Sequence, residues 1–396
     1  MDVRLASLAV GAQLFFTELD FSAVGLAGAG PDVVKWAVLG PLTLLPALAL
    51  PMLSSRLSRD LLRSPQGWMS AWLAWSLVTV LWSVDPQQTA LQGLAIVGLW
   101  VSGFWFVTTY GFAPLGRVVL LSGSAFLALG LVRDLGSSNY SLDGSERFFG
   151  ISFAATNLAR FGLLVLVVAV AVWRDPRSRR LATLAGSLAV VVILGTHTRT
   201  VILVILLIAA YLLGRRLGWR IGLLAGATVA IAAVVVISVA GESSVVSRGE
   251  GAADIESING RSTIWEIAVD LARDEPLLGF GTATGESLWV EAANDGEISW
   301  FASNSHNLVL ELMLTHGLIG TVLFLGGIVA YWRRSGWSRD PMLNAVMIAI
   351  LATGVTEAVV NRPSTAILLL GGVLAASMTP GPRSARVSDD RLVARP

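Results

Sequence analysis

Cysteine is absent from the 396-residue chain, and lysine and histidine are nearly so. Without a thiol the chain forms no disulfide, holds no thiolate-bound metal and uses no cysteine nucleophile. Lys35 is the single lysine, so every other basic side chain that stays charged at neutral pH is an arginine. Charged residues make up only 14% of the chain and the formal net charge is +1, so the positions of the charges carry more information than their total.

Apolar residues are correspondingly abundant, at 54% of the chain with a mean hydropathy of +0.70. Apolar runs of about 17–25 residues recur, which is the length needed to cross a bilayer as a helix. The sequence therefore predicts an all-α, polytopic transmembrane helix bundle of about 12 spans. The predicted spans are approximately 5–20, 32–53, 67–83, 90–111, 116–134, 151–173, 181–197, 200–214, 221–240, 307–331, 342–360 and 364–379.

Arginine placement predicts the orientation of this bundle. With the N-terminus inside, most arginines fall in internal segments, and every internal loop carries at least one. Both termini are thus expected to be cytoplasmic in a multi-pass protein of the cytoplasmic (inner) membrane. We predict one integral-membrane domain over 1–380, with an extracytoplasmic loop at 241–306, followed by a polar cytoplasmic tail at 381–396. The first apolar run lacks a clear cleavage site and is interpreted as a retained span.

The outer loop contains a predicted amphipathic helix. Thr263 and Glu266 have the spacing of a capping box, and Pro276 is expected to stop the helix. Arg261 falls just before the predicted N-terminus, where free backbone N–H groups and a guanidinium favour phosphate binding. From this loop alone, the favoured interpretation is simpler: an arginine that reaches lipid headgroups or pairs with a nearby acid.

Other polar residues of the outer face have similar alternatives. Arg199, at an outer helix end, is either a functional residue or one half of a salt bridge, for which Glu357 is a candidate partner. Arg160 lies about ten residues into a span and is expected to face a polar cavity. His316 is interpreted as a packed or bridging histidine beside glycines suited to helix contact. His306 taken alone is interpreted as a structural hydrogen-bonding residue.

Several short motifs together resemble the O-antigen ligase and polymerase superfamily. His306-Asn307, nine residues and then Gly317-Leu-Ile-Gly320 are similar to its His-Asn-x9-Gly-x-x-Gly signature. The stretch "NGRSTIWEIAVDLARDEPLLGFG" resembles its Gly-Arg…Pro-Leu-x-Gly-x-Gly segment. Three further motifs occur in the expected order, "LWSVDPQQTALQGL" at 81–94, "RFFGISFAATNLA" at 147–159 and "HTRT" at 197–200. The resemblance extends over roughly residues 68 to 375.

The resemblance implies a membrane glycosyltransferase of the cell envelope. Such an enzyme transfers a glycan from a polyprenyl-diphosphate carrier, typically undecaprenyl diphosphate, to an acceptor hydroxyl on the extracytoplasmic face. Arg199 and Arg261 match the arginine motifs and are expected to hold the diphosphate. His306 matches the motif histidine and is expected to orient the acceptor hydroxyl or remove its proton. Predicted donor- or acceptor-binding residues of second rank are Arg160, Arg147, Asn307, Asn304, Glu357 and Arg362.

Two other functions stay open, a lipid-linked glycan flippase or transporter and a non-catalytic glycan-assembly subunit. Within the enzyme class, ligase and polymerase are not distinguished. The expected partners are the lipid-linked donor, a glycan or glycolipid acceptor and membrane lipids, with no nucleic acid. We predict no cofactor and no metal. Glu18 and Asp20, at the outer end of the first span, are expected to be helix-end or salt-bridge groups rather than metal ligands.

Overall fold

The computed structural model describes residues 2–19, 64–136, 148, 150–152, 154–218, 220–222, 224–228, 261–294, 304–335, 340–358, 360 and 362–378. Over these residues the chain is helical and contains no strand, as predicted. Arg147, Asp20, the predicted span 32–53, most of the span 221–240 and the tail 381–396 lie outside the described residues. The extent of the membrane domain and of its tail therefore stays a prediction.

Twelve helices of ten or more residues are formed by this part of the chain. They are α1 (Val3–Glu18), α2 (Pro65–Val78), α3 (Pro86–Tyr110), α4 (Phe112–Gly136), α5 (Ala155–Val172), α6 (Arg179–Gly195), α7 (Arg199–Leu217), α8 (Arg261–Asp274), α9 (Gly285–Asn294), α10 (Leu308–Ser335), α11 (Pro341–Gly354) and α12 (Thr365–Ala376). A single 3-10 turn, Thr79–Leu81, extends α2.

Ten of these helices overlap a predicted span; the other two, α8 and α9, belong to the predicted outer loop. Among the described residues, five helices are long and apolar enough to cross a membrane: α3, α4, α5, α7 and α10. Two further helices, α11 and α12, are apolar but shorter, with 14 and 12 residues. The helical bundle is thus confirmed, while the count of about 12 spans stays a prediction.

Local sequence fixes several helix starts. Asp85 and Asp340 each precede a proline, and their carboxylates accept the N–H of Gln88 and Met342 respectively. A capping acceptor followed by proline at the first helical position is favoured because proline has no N–H to leave unsatisfied. The starts of α3 and α11 are therefore determined by a capping aspartate and a backbone N–H two or three residues after it.

Small residues bring α3 and α12 together. A Cβ added at Gly103 would overlap the carbonyl oxygen of Leu368, and one added at Gly371 would overlap that of Trp100. The two backbones thus touch directly, which is how apolar helices associate where lipid offers no hydrophobic driving force. The central helix of the main core is α5, which packs against α4, α6, α7 and α11.

Helices α8 and α9, from the predicted outer loop, form a second, smaller core with α10. Ile264 and Ala268 of α8 are fully buried against Trp289 of α9 and Leu314 of α10. This confirms the predicted apolar face of the outer helix and its stop before Pro276. The predicted capping box is wrong, because Thr263 lies inside α8, whose described part begins at Arg261. The capping-box spacing placed the first helical residue at Ile264, at least three residues late, and α9 was not predicted.

Candidate active site

The turn that precedes α10 holds His306 in an unusual backbone conformation. His306 has φ +50°, in the left-handed region that few residues with a Cβ adopt. Its backbone N–H donates to Oδ1 of Asn304 at 2.8 Å, and the N–H of Ser305 donates to a carboxylate oxygen of buried Glu311 at 2.7 Å. Such strain persists only where surrounding contacts fix it, and it is frequent at functional sites.

Asn307 and the outer helix hold the same turn from two sides. Asn307 caps α10, since its Oδ1 accepts the N–H groups of Val309 and Leu310 at 2.9 and 3.2 Å. The indole Nε1–H of Trp265 in α8 donates to the carbonyl of Ser305 at 3.0 Å. The turn 304–307 is therefore attached to α8 and α10 together, so Arg261 and His306 are positioned by one rigid unit.

Glu357 joins these two residues. One carboxylate oxygen lies 3.2 Å from Nη2 of Arg261, and the other lies 3.2 Å from Nδ1 of His306. Glu357 follows α11 and is 7% exposed, whereas the side chains of Arg261 and His306 keep 18% and 23% of their surface exposed. A buried acid thus bridges a guanidinium and an imidazole that both reach a surface accessible to a ligand.

The surroundings keep Glu357 ionised. Burial acts to raise the pKa of this carboxyl, but the hydrogen bond from His306 and the charges of Arg160, His306 and Arg261 outweigh it and lower the pKa to about 2. Arg160 also donates to the side-chain oxygen of Asn157, one turn earlier in α5. Arg160, Arg261, His306 and Glu357 therefore form one electrostatic cluster, termed the charged cluster below.

Two other predicted arginines, Arg199 and Arg362, lie at or just before the starts of helices. Arg199 is the first residue of α7, directly after a turn in which His197 has φ +52°. Phe148 docks on that turn, since its N–H donates to the carbonyl of Gly195 at 2.9 Å and a Cβ on Gly195 would overlap its ring. Arg362 is half-buried in the turn before α12. The substrate roles of these arginines stay predictions.

Comparison with known proteins finds two similarities. Residues 184–325, which include Arg199, Arg261 and His306, match the family model for the O-antigen ligase. The chain is similar to that family over this part of its length. It is also 26% identical over 275 residues to the exopolysaccharide production protein ExoQ of Rhizobium meliloti (strain 1021), a match covering 65% of this chain and 62% of ExoQ. The match thus spans less than two thirds of that relative.

The similarity to this family, together with the apolar helices, indicates a multi-pass membrane protein. Glu357 lies beyond the residues that the family model matches. Its place in the charged cluster is therefore visible only in the structure. The sequence suggested Glu357 only as a candidate partner for Arg199. Its one distinguishing feature in the sequence is that it is an acid near the end of an apolar run.

A second polar cluster, which is buried, surrounds His316. His316 is fully buried, and its Nε2 lies 2.9 Å from Oγ of Ser76 and 3.0 Å from Oγ1 of Thr282. Its Nδ1 lies 2.8 Å from Oγ1 of Thr315, and its carbonyl accepts the indole N–H of Trp75. The predicted bridging role of this histidine is confirmed, since both ring nitrogens have hydroxyl partners.

The glycine after His316 breaks α10. Gly317 has φ +63° and ψ −169°, so the regular helical ladder is interrupted there. The segment 276–281 fills the interruption: Phe280 and Gly281 donate N–H groups to the carbonyls of Leu314 and Thr315 at 2.8 and 3.0 Å. Leu318 N–H donates in return to the carbonyl of Pro276 at 2.9 Å. Irregular backbone within an apolar helix bundle is tolerated when its polar groups are paired, as they are at Gly317.

The motif at 81–94 completes this scaffold. Val84 N–H donates to the carbonyl of Phe280 at 3.1 Å, and the indole of Trp82 donates to the carbonyl of Gly279 at 3.0 Å. Thr89 donates to the carbonyl of Thr282 at 2.7 Å. The superfamily motifs therefore divide into the charged cluster and a scaffold that attaches the outer helices to α2, α3 and α10.

Substituting the glycine at the break tests this division. We expect Gly317→Ala to lower stability by about 1–3 kcal/mol, since its φ disfavours a side chain and the new Cβ would overlap the carbonyl of Leu277. The measurement is the thermal midpoint of the purified protein in detergent. Gly136→Ala is the matched control, because a Cβ there meets nothing within 4 Å. Equal midpoints for both variants would contradict the account of the break.

Glu18 has a structural contact. Its carboxylate accepts the N–H of Thr365, the first residue of α12, at 2.8 Å. A negative charge at a helix N-terminus is stabilising, so the predicted helix-end role of Glu18 is confirmed. Among the described residues no group of three or more histidine, cysteine or acidic side chains is placed to hold a metal ion. The metal-independence of the protein stays a prediction.

Proposed function

We propose that this protein is a membrane glycosyltransferase that transfers a glycan from a polyprenyl-diphosphate carrier to an acceptor hydroxyl on the extracytoplasmic face. The observation that carries the proposal is the bridge made by Glu357 between His306 and Arg261. The carboxylate of Glu357 thus holds His306, the proposed proton acceptor, beside Arg261, the residue proposed to bind the diphosphate. The match of residues 184–325 to the O-antigen ligase family model supports the same chemistry, and the name of the ExoQ relative favours a polysaccharide product.

His306 is the proposed general base. If its Nδ1 carries the proton, that N–H donates to Glu357, and Nε2 has no hydrogen-bond partner among the described residues. Nε2 then accepts the proton of the acceptor hydroxyl as its oxygen forms the new bond to the anomeric carbon. The bond from that carbon to the phosphate oxygen breaks, and polyprenyl diphosphate leaves with the electron pair. The carboxylate of Glu357 stabilises the imidazolium that results.

The arginines are proposed to bind the leaving diphosphate. A diphosphate is a good leaving group, so charge stabilisation and positioning matter more than acid catalysis. Arg261 uses one amino group for Glu357, which leaves other N–H donors of its planar fork for phosphate oxygens. We assign Arg160 and Arg199 to the same role, with Arg147 and Arg362 as secondary contacts. Asn304 and Asn307 are proposed to position His306, because their side chains already serve the turn.

Turnover distinguishes this function from the two alternatives. The test uses the purified full chain in nanodiscs with radiolabelled lipid-linked glycan extracted from the native host, and with the same material in proteoliposomes. Glycan released from the lipid and joined to the acceptor supports a transferase. Movement of intact lipid-linked glycan between leaflets would identify a flippase, and saturable binding without either would identify an assembly subunit. Product length then separates a ligase from a polymerase.

The proposed orientation places the charged cluster outside and both termini in the cytoplasm. The native chain has no cysteine, so Arg273→Cys supplies a single exposed reporter on α8, the helix that carries Arg261, and Arg334→Cys an exposed one at the far end of α10. We expect a membrane-impermeant thiol reagent to label position 273 in intact cells and position 334 only after lysis. The reverse pattern would invert the orientation and remove the acceptor site from the outer face.

We also propose that turnover needs no metal, because arginines already supply positive charge for the diphosphate. Activity should survive excess EDTA, and Glu18→Gln should change turnover little, since its carboxylate serves α12. The measurement is turnover in nanodiscs before and after chelation. Loss of activity on chelation that magnesium or manganese restores, with a parallel loss in Glu18→Gln and Asp20→Asn, would move the diphosphate site to the first outer loop.

A further inference from the structure

An apolar groove runs between α5 and α6, away from the charged cluster. Its volume is about 560 Å³, within the ~300–1,000 Å³ range of small-molecule sites. Leu166, Val170 and Trp173 line one wall, and Gly186 and Val190 line the other. Val170, Trp173 and Val190 leave 47%, 50% and 41% of their surfaces exposed, so an apolar partner is needed to cover them.

One end of the groove is strongly basic. Arg174, Arg177, Arg179 and Arg180 lie in the turn between the two helices and the first turn of α6, and all four are exposed. The guanidinium of Arg179 lies over the Trp173 ring, 5.2 Å from its centre. The nearby acid, Asp175, accepts hydrogen bonds from Ser178 and from the backbone of Arg177. The end therefore stays positive and has no acid in the first turn of α6.

We propose that this groove binds one anionic phospholipid, with an acyl chain along α5 and α6 and the phosphate against Arg179 and Arg180. An apolar slot that opens at exposed arginines matches the two halves of such a lipid. Trp173 sits between them, at the depth where tryptophan is favoured at a membrane interface. With the orientation proposed above, this is a lipid of the cytoplasmic leaflet.

The position of the groove argues against the polyprenyl carrier as the occupant. Arg160 of the charged cluster and Trp173 are 13 residues apart on α5, which is about 20 Å along the helix axis. The groove begins beyond the middle of α5 and opens at the end opposite the cluster. A diphosphate held at the cluster would therefore leave the arginine end of the groove empty, whereas a phospholipid headgroup fills it.

The test measures lipid retained by the detergent-purified full chain after delipidation, by native mass spectrometry. The probes are phosphatidylglycerol, phosphatidylcholine, a polyprenyl phosphate and glycerol 3-phosphate, each added alone. We expect one tightly held phosphatidylglycerol, and a loss of about fivefold in affinity for each arginine removed in Arg179→Gln and Arg180→Gln. The matched charge control is Arg333→Gln with Arg334→Gln, two exposed arginines at the same predicted membrane face.

A second pair of variants tests the slot itself. Ser187 lines the groove, and Ser187→Phe should fill it and abolish retention. Leu184→Phe, one turn away and 71% exposed outside the groove, should retain the lipid, and both variants should keep the thermal midpoint of the lipid-free protein. Equal retention of phosphatidylcholine, retention by Ser187→Phe, displacement by glycerol 3-phosphate, or preference for polyprenyl phosphate would each overturn the proposal.

Discussion

Arg261→Lys is expected to lose nearly as much turnover as Arg261→Ala, roughly 2–4 kcal/mol of transition-state stabilisation. Lysine keeps the positive charge, so Glu357 still has a cationic partner and the fold should persist. What lysine lacks is the planar fork that can bind Glu357 and a phosphate oxygen at once. In the structure one amino group of Arg261 lies 3.2 Å from Glu357, and the side chain is still 18% exposed, so its other N–H groups can reach a phosphate.

The alanine variant alone would not be decisive. Removing one member of a buried ion pair is itself destabilising, by about 3–5 kcal/mol, because it leaves the other charge without a partner. The lysine variant avoids this problem, and Arg273→Lys is its matched control on the same helix, at a site where the side chain is 73% exposed. The measurement is kcat and KM for the lipid-linked donor, with the thermal midpoint of each variant. Near-normal turnover in Arg261→Lys would remove the diphosphate role.

The helices were predictable from sequence because the bilayer imposes a simple rule on them. Runs near the length of a membrane crossing appear as helices such as α3, α4 and α5, within a few residues of the predicted bounds. The break in α10 was not predicted, because the run 307–331 is apolar enough on average to be interpreted as one span across Gly317. It depends on the segment 276–281, which lies about 40 residues earlier and supplies the backbone partners.

The candidate site, too, was predictable only in part. Arg261 and His306 were identified as candidate site residues because each lies in a local motif. Their common partner was not, because Glu357 lies 51 residues beyond His306 and 96 beyond Arg261. The contacts between the end of α11 and the start of α10 bring it there, since Gly354 lies against Leu308 and the carbonyl of Val355 accepts from the side chain of Asn307. A sequence reports such a contact poorly, because an isolated acid in a turn looks the same whether it is solvated or shared.

Glu357→Gln tests whether that shared acid acts through His306. Glutamine keeps the size and one acceptor oxygen, but it removes the negative charge that pairs with Arg261 and stabilises an imidazolium. Because the loss of this buried ion pair lowers stability, turnover is compared once the thermal midpoint shows that the variant is folded. We expect turnover to fall by roughly 10²–10⁴-fold, the range of a general base. Because the pKa of Glu357 is lowered to about 2, the carboxylate is lost only when pH falls through that value. The defect should thus be present throughout about pH 5 to 9 and not vanish at the acidic end.

A double-mutant cycle separates this role from a purely structural one. If Glu357 works by orienting and charging His306, then Glu357→Gln should cost little more once His306→Ala is present, because the two residues act as a unit. Glu275→Gln is the matched loss of charge at an exposed position after α8. Additive losses in the double variant would mean that Glu357 acts through Arg261 instead. Full activity of a folded Glu357→Gln variant would exclude the carboxylate from the mechanism and leave His306 oriented by its turn alone.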